Sequence, residues 1–158
     1  MNPLKILTIS SVSIWLGAMA FFSIFVAPAA FSVLDRESAG RLATAVFPRY
    51  YLFGAVLGLL GLAGLVGQFL GEGGRPAPWG TLALLLLMLA LTFYAMLILE
   101  PQIRETRLAL RSAGIAPGSG GPEAQAFARL HTLSVILNGV TLLAGLALIC
   151  LEAVRSRG

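Results

Sequence analysis

The fold is decided by the sequence TLALLLLMLALTFYAMLIL, which runs from Thr81 to Leu99 without a charged residue. As a helix this segment is roughly 29 Å long, which matches a bilayer hydrocarbon core of about 30 Å. Its nine leucines, together with Phe93 and Ile98, favour insertion into lipid by roughly 5 kcal/mol. The segment therefore predicts a membrane span that stops at Glu100-Pro101, and we expect the helix to continue into water from Gln102 to Arg111.

Three other apolar runs lie at about residues 6–34, 51–70 and 123–152. With the run at 81–99 they predict an all-α, integral membrane four-helix bundle that forms a single domain over residues 1–158. The first run is too long to cross a bilayer straight, and we expect Pro28 to bend it, because proline cannot donate a backbone hydrogen bond. It is also too long for the apolar part of a secretory signal, so we expect an uncleaved span.

Between the first two spans, residues 36–47 predict a short amphipathic helix that lies in the membrane interface. Apolar side chains at i, i+3 and i+7 from Ala39 fall on one face, opposite the charged residues. Asp35 is placed to cap this helix and Pro48 to end it. Phe47, Tyr50 and Tyr51 then predict an interfacial aromatic belt at the start of the second span.

The second span carries glycines at a spacing that lets another helix approach closely. Gly54 and Gly58 form a GxxxG pair, and Gly61 follows on the same part of the helix. We predict that these three glycines, with Gly17 in the first span, are helix-packing positions. This glycine ridge could serve contacts within the bundle or contacts with another copy or another membrane protein.

The basic residues predict the orientation of the bundle. Seven of the eleven Lys and Arg residues lie in the connectors between spans one and two and between spans three and four. The positive-inside rule then places both connectors in the cytoplasm and both termini outside it. The segment 71–80 predicts a tight turn between neighbouring spans, and the Gly/Pro/Ser-rich segment 112–122 predicts a break in the helix.

Composition excludes several classes of function. The chain is 58% hydrophobic and 11% charged, so lipid rather than water is its solvent. Its net charge of +4 comes from arginines that flank the apolar runs, where they meet lipid headgroups, and we expect no nucleic-acid partner. The single cysteine, Cys150, and the single histidine, His131, match no metal-ligand spacing, so we expect no metal and no cofactor.

Polar residues within the spans need partners, because an unpaired polar group in lipid is costly. At 100° per residue, one stripe of the fourth span is polar or small, and a comparable stripe runs along the first span. The two stripes are His131, Ser134, Asn138, Thr141 and Gly145 in span four, and Ser10, Ser13, Gly17, Ala20 and Pro28 in span one. They predict that spans one and four face each other.

Two interpretations of the span-four stripe stay open. Asn138 and the hydroxyl groups can simply join helices by hydrogen bonds. Alternatively, His131, Asn138, Glu100 and Arg104 line a pocket that opens toward the connectors, because Glu100 ends span three and His131 begins span four on the same membrane face. Glu100 and Arg104 also have the i, i+4 spacing of an ion pair.

Several short motifs occur in a fixed order along the chain. They are Gly17 to Phe22, Ala27-Pro28, Phe31, Leu34-Asp35, Ala39-Gly40, Phe47-Pro48 with Tyr50-Tyr51, Leu130-His131, Ser134 and Leu137-Asn138. In these motifs the chain resembles the family of small four-span membrane proteins typified by human transmembrane protein 205. The resemblance implies that Asp35, His131, Ser134 and Asn138 are the polar residues of a site. The human member is associated with export of platinum drugs, but the CxxC motif is missing from this chain.

The sequence supports three functional hypotheses. The first is a binding or transport protein that takes a small molecule or ion into a polar crevice between spans one and four. The second is a structural or assembly subunit that packs through the span-two glycine ridge, and the third is a haem-binding oxidoreductase. We expect no enzyme, because the acids at the span ends have arginine neighbours that hold them as carboxylates. We expect the protein in the inner (plasma) membrane of a bacterium.

Overall fold

A computed structural model describes residues 2–71, 79–115 and 120–155, and every regular element in these ranges is helical. Four helices are long and apolar enough to cross a membrane, and we label them α1 (Pro3–Val33), α2 (Arg36–Gly71), α3 (Trp79–Ser112) and α4 (Pro122–Arg155). The predicted all-α four-span bundle is confirmed. The predicted turn at 71–80 and the predicted break at 112–122 fall partly on residues 72–78 and 116–119, outside the described residues.

The helices form a ring in which α1 packs on α2, α2 on α3, α3 on α4, and α4 on α1. The side chains at the centre of this ring are mainly large and apolar. The glycines of α2 let α1 approach closely, since a methyl group at Gly54 would lie 2.5 Å from Trp15 Nε1 and one at Gly64 would lie 2.8 Å from the Leu4 carbonyl oxygen. The α2 ridge is therefore used inside the bundle.

The amphipathic segment 36–47 is helical, but it is the first part of α2 rather than a separate interfacial helix. Asp35 caps it as predicted, because the Ser38 backbone N–H donates to Asp35 Oδ1 at 2.9 Å, which lowers the pKa of that carboxyl. The expected end at Pro48 is wrong, since the helix continues through Pro48 to Gly71. A proline removes only one backbone hydrogen bond, and long membrane helices tolerate it where neighbouring helices support the backbone.

The other two helical prolines follow π-helical turns. The turn Phe22–Val26 precedes Pro28 in α1, and the turn Ala95–Leu99 precedes Pro101 in α3. A π turn widens the helix and accommodates the carbonyl that the proline leaves without a backbone donor. The sequence predicts a bend at Pro28, and the structure has a π turn just before that residue. As expected, the helix α3 continues past Glu100, and it ends at Ser112. Gly114 adopts a positive φ of 66° that closes a Schellman-type cap.

Candidate functional site

Three of the four helices share a set of polar side chains in the connector-side half of the bundle. The Tyr50 hydroxyl of α2 donates to Asn138 Oδ1 of α4 at 2.6 Å. Asn138 Nδ2 donates in turn to Ser23 Oγ of α1 at 3.0 Å. The Tyr51 and Ser134 hydroxyls share a hydrogen bond of 3.2 Å. We call these five residues the polar cluster.

The polar cluster crosses the centre of the ring. Its two α2–α4 bonds join helices that lie diagonally opposite each other, so the side chains reach through the interior. Ser134 and Asn138 are one turn apart and present the same face of α4. The tyrosine rings are positioned by edge and stacking contacts with Phe22 and Phe47, at ring-centroid distances of 5.2–6.2 Å. The aromatic residues that the sequence assigned to a lipid interface therefore face the bundle interior instead.

A cavity lies against the polar cluster. Its volume is about 10 Å³, measured as the space open to the centre of a water-sized sphere. About 10–15 Å³ on this measure holds one water molecule, so the cavity is close to the size of a single water. It is lined by Trp15, Met19, Tyr50, Tyr51, Leu91, Thr92, Ala95, Ser134, Leu137, Asn138 and Thr141.

Apolar packing closes the cavity on the side of the chain termini. One turn further along the helices, Leu16 and Met88 pack against Gly145, where an added methyl group would meet them at 2.4 and 3.0 Å. Both side chains are buried, together with Leu85 and Leu148. The polar interior thus ends within the membrane-spanning part of the bundle and does not continue to the opposite face.

The structure brings two of the six predicted ligand-binding residues, Ser134 and Asn138, to the cavity. Glu100 is half-buried near it and interacts electrostatically with Tyr51. His131 is exposed and stacks on Phe127, with ring centroids 6.2 Å apart and an interplanar angle of 7°.

The remaining two predicted residues lie elsewhere. Asp35 is exposed at the α2 cap, and Arg104 is exposed on α3. Within the described residues, Arg104 forms no ion pair with Glu100, so the expected i, i+4 pair is not made. The spacing was correct, but Glu100 turns toward the bundle, where Arg107 is its electrostatic partner.

The predicted polar stripe on the first span was assigned to the wrong face. Ser10, Ser13 and Gly17 are exposed on the outside of the bundle, and a methyl group at Gly17 would meet nothing within 4 Å. The inner face of α1 instead carries large residues such as Trp15 and Met19. The α2 glycines leave room for these side chains, so the small residues of α1 are not needed at the interface.

Arg107 is a structural residue that the sequence reasoning missed. Its guanidinium donates to the Gly40 carbonyl at 2.5 Å and to Thr44 Oγ1 at 2.7 Å, and it lies 5.3 Å from the Phe127 ring centroid. Arg111 also pairs with Glu37 at 2.9 Å. The two arginine-rich connectors therefore meet at one end of the bundle. In the sequence, only the i, i+3, i+7 spacing of Arg104, Arg107 and Arg111 indicated that these residues share a helix face.

A second polar group joins helices at the opposite end of the bundle. Glu152 is only 4% exposed, and it accepts a hydrogen bond of 2.5 Å from Thr81 Oγ1. Arg155 and Lys5 pair with it at 3.1 and 3.5 Å. The sequence predicted an interfacial carboxylate beside an arginine at this position, but it did not predict the partners Lys5 of α1 and Thr81 of α3, which are far from Glu152 in the chain. Among the described residues, no group of three His, Cys, Asp or Glu side chains could hold a metal ion.

Comparison with known proteins gives a family without a known activity. A family model described as a domain of unknown function, DUF4149, matches residues 10–112, which cover most of α1 and all of α2 and α3 but not α4. An uncharacterized protein of Aquifex aeolicus (strain VF5) is 39% identical over 83 residues, which are 52% of this chain and 60% of that relative. This chain therefore spans less than two thirds of that relative's length. No solved structure matches.

Proposed function

The chain belongs to the DUF4149 family of domains of unknown function, and we propose that it is a non-enzymatic membrane protein that binds and transports a small molecule or ion. The proposed binding place is the polar crevice between α1 and α4, which residues of α2 and α3 also line. The observation that carries the proposal is the cavity beside the polar cluster, which lies between helices rather than at a membrane surface. Polar side chains that face the interior of a membrane-spanning bundle, as those of the polar cluster do, are typical of a substrate pathway.

The size of the cavity limits what it can bind in this conformation. Pockets for drug-sized ligands have volumes of about 300–1,000 Å³, whereas this cavity holds about one water molecule. The apolar plug at Leu16, Met88 and Gly145 means that passage needs a change of helix packing. The two π turns supply places where α1 and α3 can bend.

A second function is that of an assembly subunit or homo-oligomer. The sequence suggested the glycine ridge of α2 as its contact surface, but the small residues on the outer face of α1 support it better. The glycine ridge of α2 is occupied by α1 and α3 side chains, so it does not favour an outside partner. The small residues Ser10, Ser13 and Gly17 face outward and allow close contact with another helix. A dimer of the purified protein that Gly17→Leu converts to a monomer would support this function.

The haem hypothesis has less support. An absorbance spectrum of the purified protein without a Soret band would remove it. The resemblance to transmembrane protein 205 stays a prediction, and we leave metal export out of the proposal because the chain has no CxxC motif.

We place the protein in a bacterial inner membrane with both connectors in the cytoplasm and both termini outside. The basic connectors meet through Arg107 and Arg111 at one end of the bundle, which supports a common side for both.

The proposed function is tested by flux into liposomes that contain the full-length protein. The probes are water, ammonia, hydrogen peroxide, sodium, potassium and chloride, each compared with empty liposomes. We expect at least one probe to enter faster with the protein, and Asn138→Leu to slow it severalfold, because the variant removes both hydrogen bonds of the amide.

The matched control is Val135→Leu, which changes an exposed residue of the same helix and is expected to leave every flux unchanged. Asn138→Leu removes hydrogen bonds worth about 0.6 kcal/mol each, so the bundle should stay folded. Equal fluxes with and without the protein for all six probes would contradict the proposal.

A further inference from the structure

Among the residues that the structure describes, one hydroxyl in the cavity wall has no hydrogen-bond partner. Thr92 is 7% exposed and lines the cavity. Across the described residues its hydroxyl forms no hydrogen bond, whereas four other threonine hydroxyls donate to the carbonyl one turn earlier. These are the hydroxyls of Thr8, Thr44, Thr106 and Thr141.

The Thr92 hydroxyl is not sealed inside the core. In the described part of the chain, no buried side-chain oxygen or nitrogen that is closed to water lacks a hydrogen-bond partner. An unpaired Thr92 hydroxyl must therefore be within reach of a water-sized molecule. A hydroxyl left unpaired in an apolar interior is unfavourable, so a molecule in the cavity that pairs with it would stabilise the folded protein.

The charge and hydrogen bonding of the residues that line the cavity indicate which kind of molecule it can bind. All eleven lining residues are uncharged, so a bare ion in the cavity would lose its hydration without gaining an opposite charge. The carboxamide of Asn138 and the hydroxyls of Tyr50, Tyr51, Ser134 and Thr141 already bond to other protein groups. Among the described residues, the polar lining groups that form no hydrogen bond are the Thr92 hydroxyl and the Trp15 indole N–H, and they border a space for one small molecule.

We propose that the cavity is a binding site for one neutral, water-sized molecule that forms hydrogen bonds, such as water, ammonia or hydrogen peroxide. The Thr92 hydroxyl is its hydrogen-bond partner, and the aromatic and apolar side chains around it exclude ions. This inference rests on the proposed transport function and narrows its substrate from a small molecule or ion to a neutral molecule of this size.

The test compares Thr92→Val with Thr132→Val in the same liposome assay. Thr92→Val removes the hydroxyl while it keeps the side-chain shape, and Thr132→Val makes the same change at an exposed residue of α4. We expect water, ammonia or hydrogen peroxide, but no sodium, potassium or chloride, to enter faster than into empty liposomes. Thr92→Val should slow the neutral flux about fivefold, the value of one hydrogen bond, and Thr132→Val should not.

The outcomes separate this inference from the function on which it rests. Flux of ions alone, sensitive to Asn138→Leu, would overturn the neutral-molecule site but leave transport through the crevice. No flux of any probe would overturn both. A neutral flux that Thr92→Val leaves unchanged would remove Thr92 from the site. If Thr92→Val does not fold, Thr92→Ser, which keeps the hydroxyl, should retain the neutral flux, and its loss would contradict the inference.

Discussion

Gly64→Ala tests the close approach of α1 and α2, on which the position of every α1 side chain depends. The new methyl group would lie 2.8 Å from the Leu4 carbonyl oxygen and 3.1 Å from the Thr8 backbone nitrogen. Both atoms belong to the backbone of α1, so a rotamer change cannot relieve the contact and the helices must move apart. Overpacking of this kind lowers the free energy of unfolding by about 1–3 kcal/mol.

Two smaller effects adjust this value. Separation of the helices weakens two hydrogen bonds of the Thr8 hydroxyl, to the Gly61 carbonyl and from Gln68 Nε2, both at 3.2 Å. Such bonds contribute about 0.6 kcal/mol each in membrane proteins. Alanine is better than glycine in a helix by about 1 kcal/mol, which acts in the opposite direction. The net expected loss is therefore about 1–3 kcal/mol.

The assay is unfolding in mixed micelles by titration with sodium dodecyl sulfate, followed by circular dichroism. Gly17→Ala is the matched control, because a methyl group there meets nothing within 4 Å. We expect this control to be neutral or to stabilise the protein by up to about 1 kcal/mol. Equal unfolding free energies for the two variants would refute the proposed packing of α1 against the α2 glycines.

Three further perturbations address the ends of the bundle. Arg107→Met should lower the free energy of unfolding by about 2–3 kcal/mol in the same titration, because it removes two hydrogen bonds and a cation–π contact. Its control is Arg104→Met at an exposed residue, which should change the free energy of unfolding little. Glu152→Leu should lower it by about 3 kcal/mol, because its cationic partners lose their buried carboxylate, with exposed Glu105→Leu as the control. The lowered pKa of Asp35 means that its cap is fully present above the ordinary value of 3.8 and is lost as the pH falls through the lower folded-state pKa. Hydrogen exchange in the first turn of α2 should therefore accelerate on acidification beyond its intrinsic pH dependence, and Asp35→Asn should abolish that excess.

The four spans could be predicted because insertion depends on summed side-chain hydrophobicity, which is a property of each segment alone. The segment Thr81–Leu99 is the clearest case, since it lies wholly inside α3. Helix ends were harder, because a proline such as Pro48 stops a helix only when nothing else supports its backbone. In α2 the bundle supports that backbone, and the helix continues to Gly71.

The interior faces could be predicted on α4 but not on α1. Ser134 and Asn138 are polar residues in an apolar helix, so the cost of placing them in lipid directs them inward. On α1 the same reasoning favoured Ser10 and Ser13, yet serine is small enough to face lipid, and Trp15 fills the space beside Gly54. Which α1 face packs inward depends on the shape of α2, and a pattern within one helix does not contain that information.

The residue pairs that meet across the bundle could not be predicted from the periodicity of the sequence. Tyr50 meets Asn138, and Thr81 meets Glu152, although each pair is far apart in the chain. Either tyrosine also suits a lipid interface, so its residue type alone does not distinguish a belt position from an interior one.

In the proposed function, the polar cluster of α1, α2 and α4, together with Thr92 of α3, lines a binding place within the membrane. An experimental density map of the full-length protein in lipid, at a resolution that shows ordered waters, tests this claim most directly. We expect non-protein density within hydrogen-bond distance, about 2.7–3.2 Å, of the Thr92 hydroxyl, and Asn138 bonded to Tyr50 and Ser23. A map in which Asn138 contacts lipid tails, or in which side chains fill the space beside Thr92, would contradict the account.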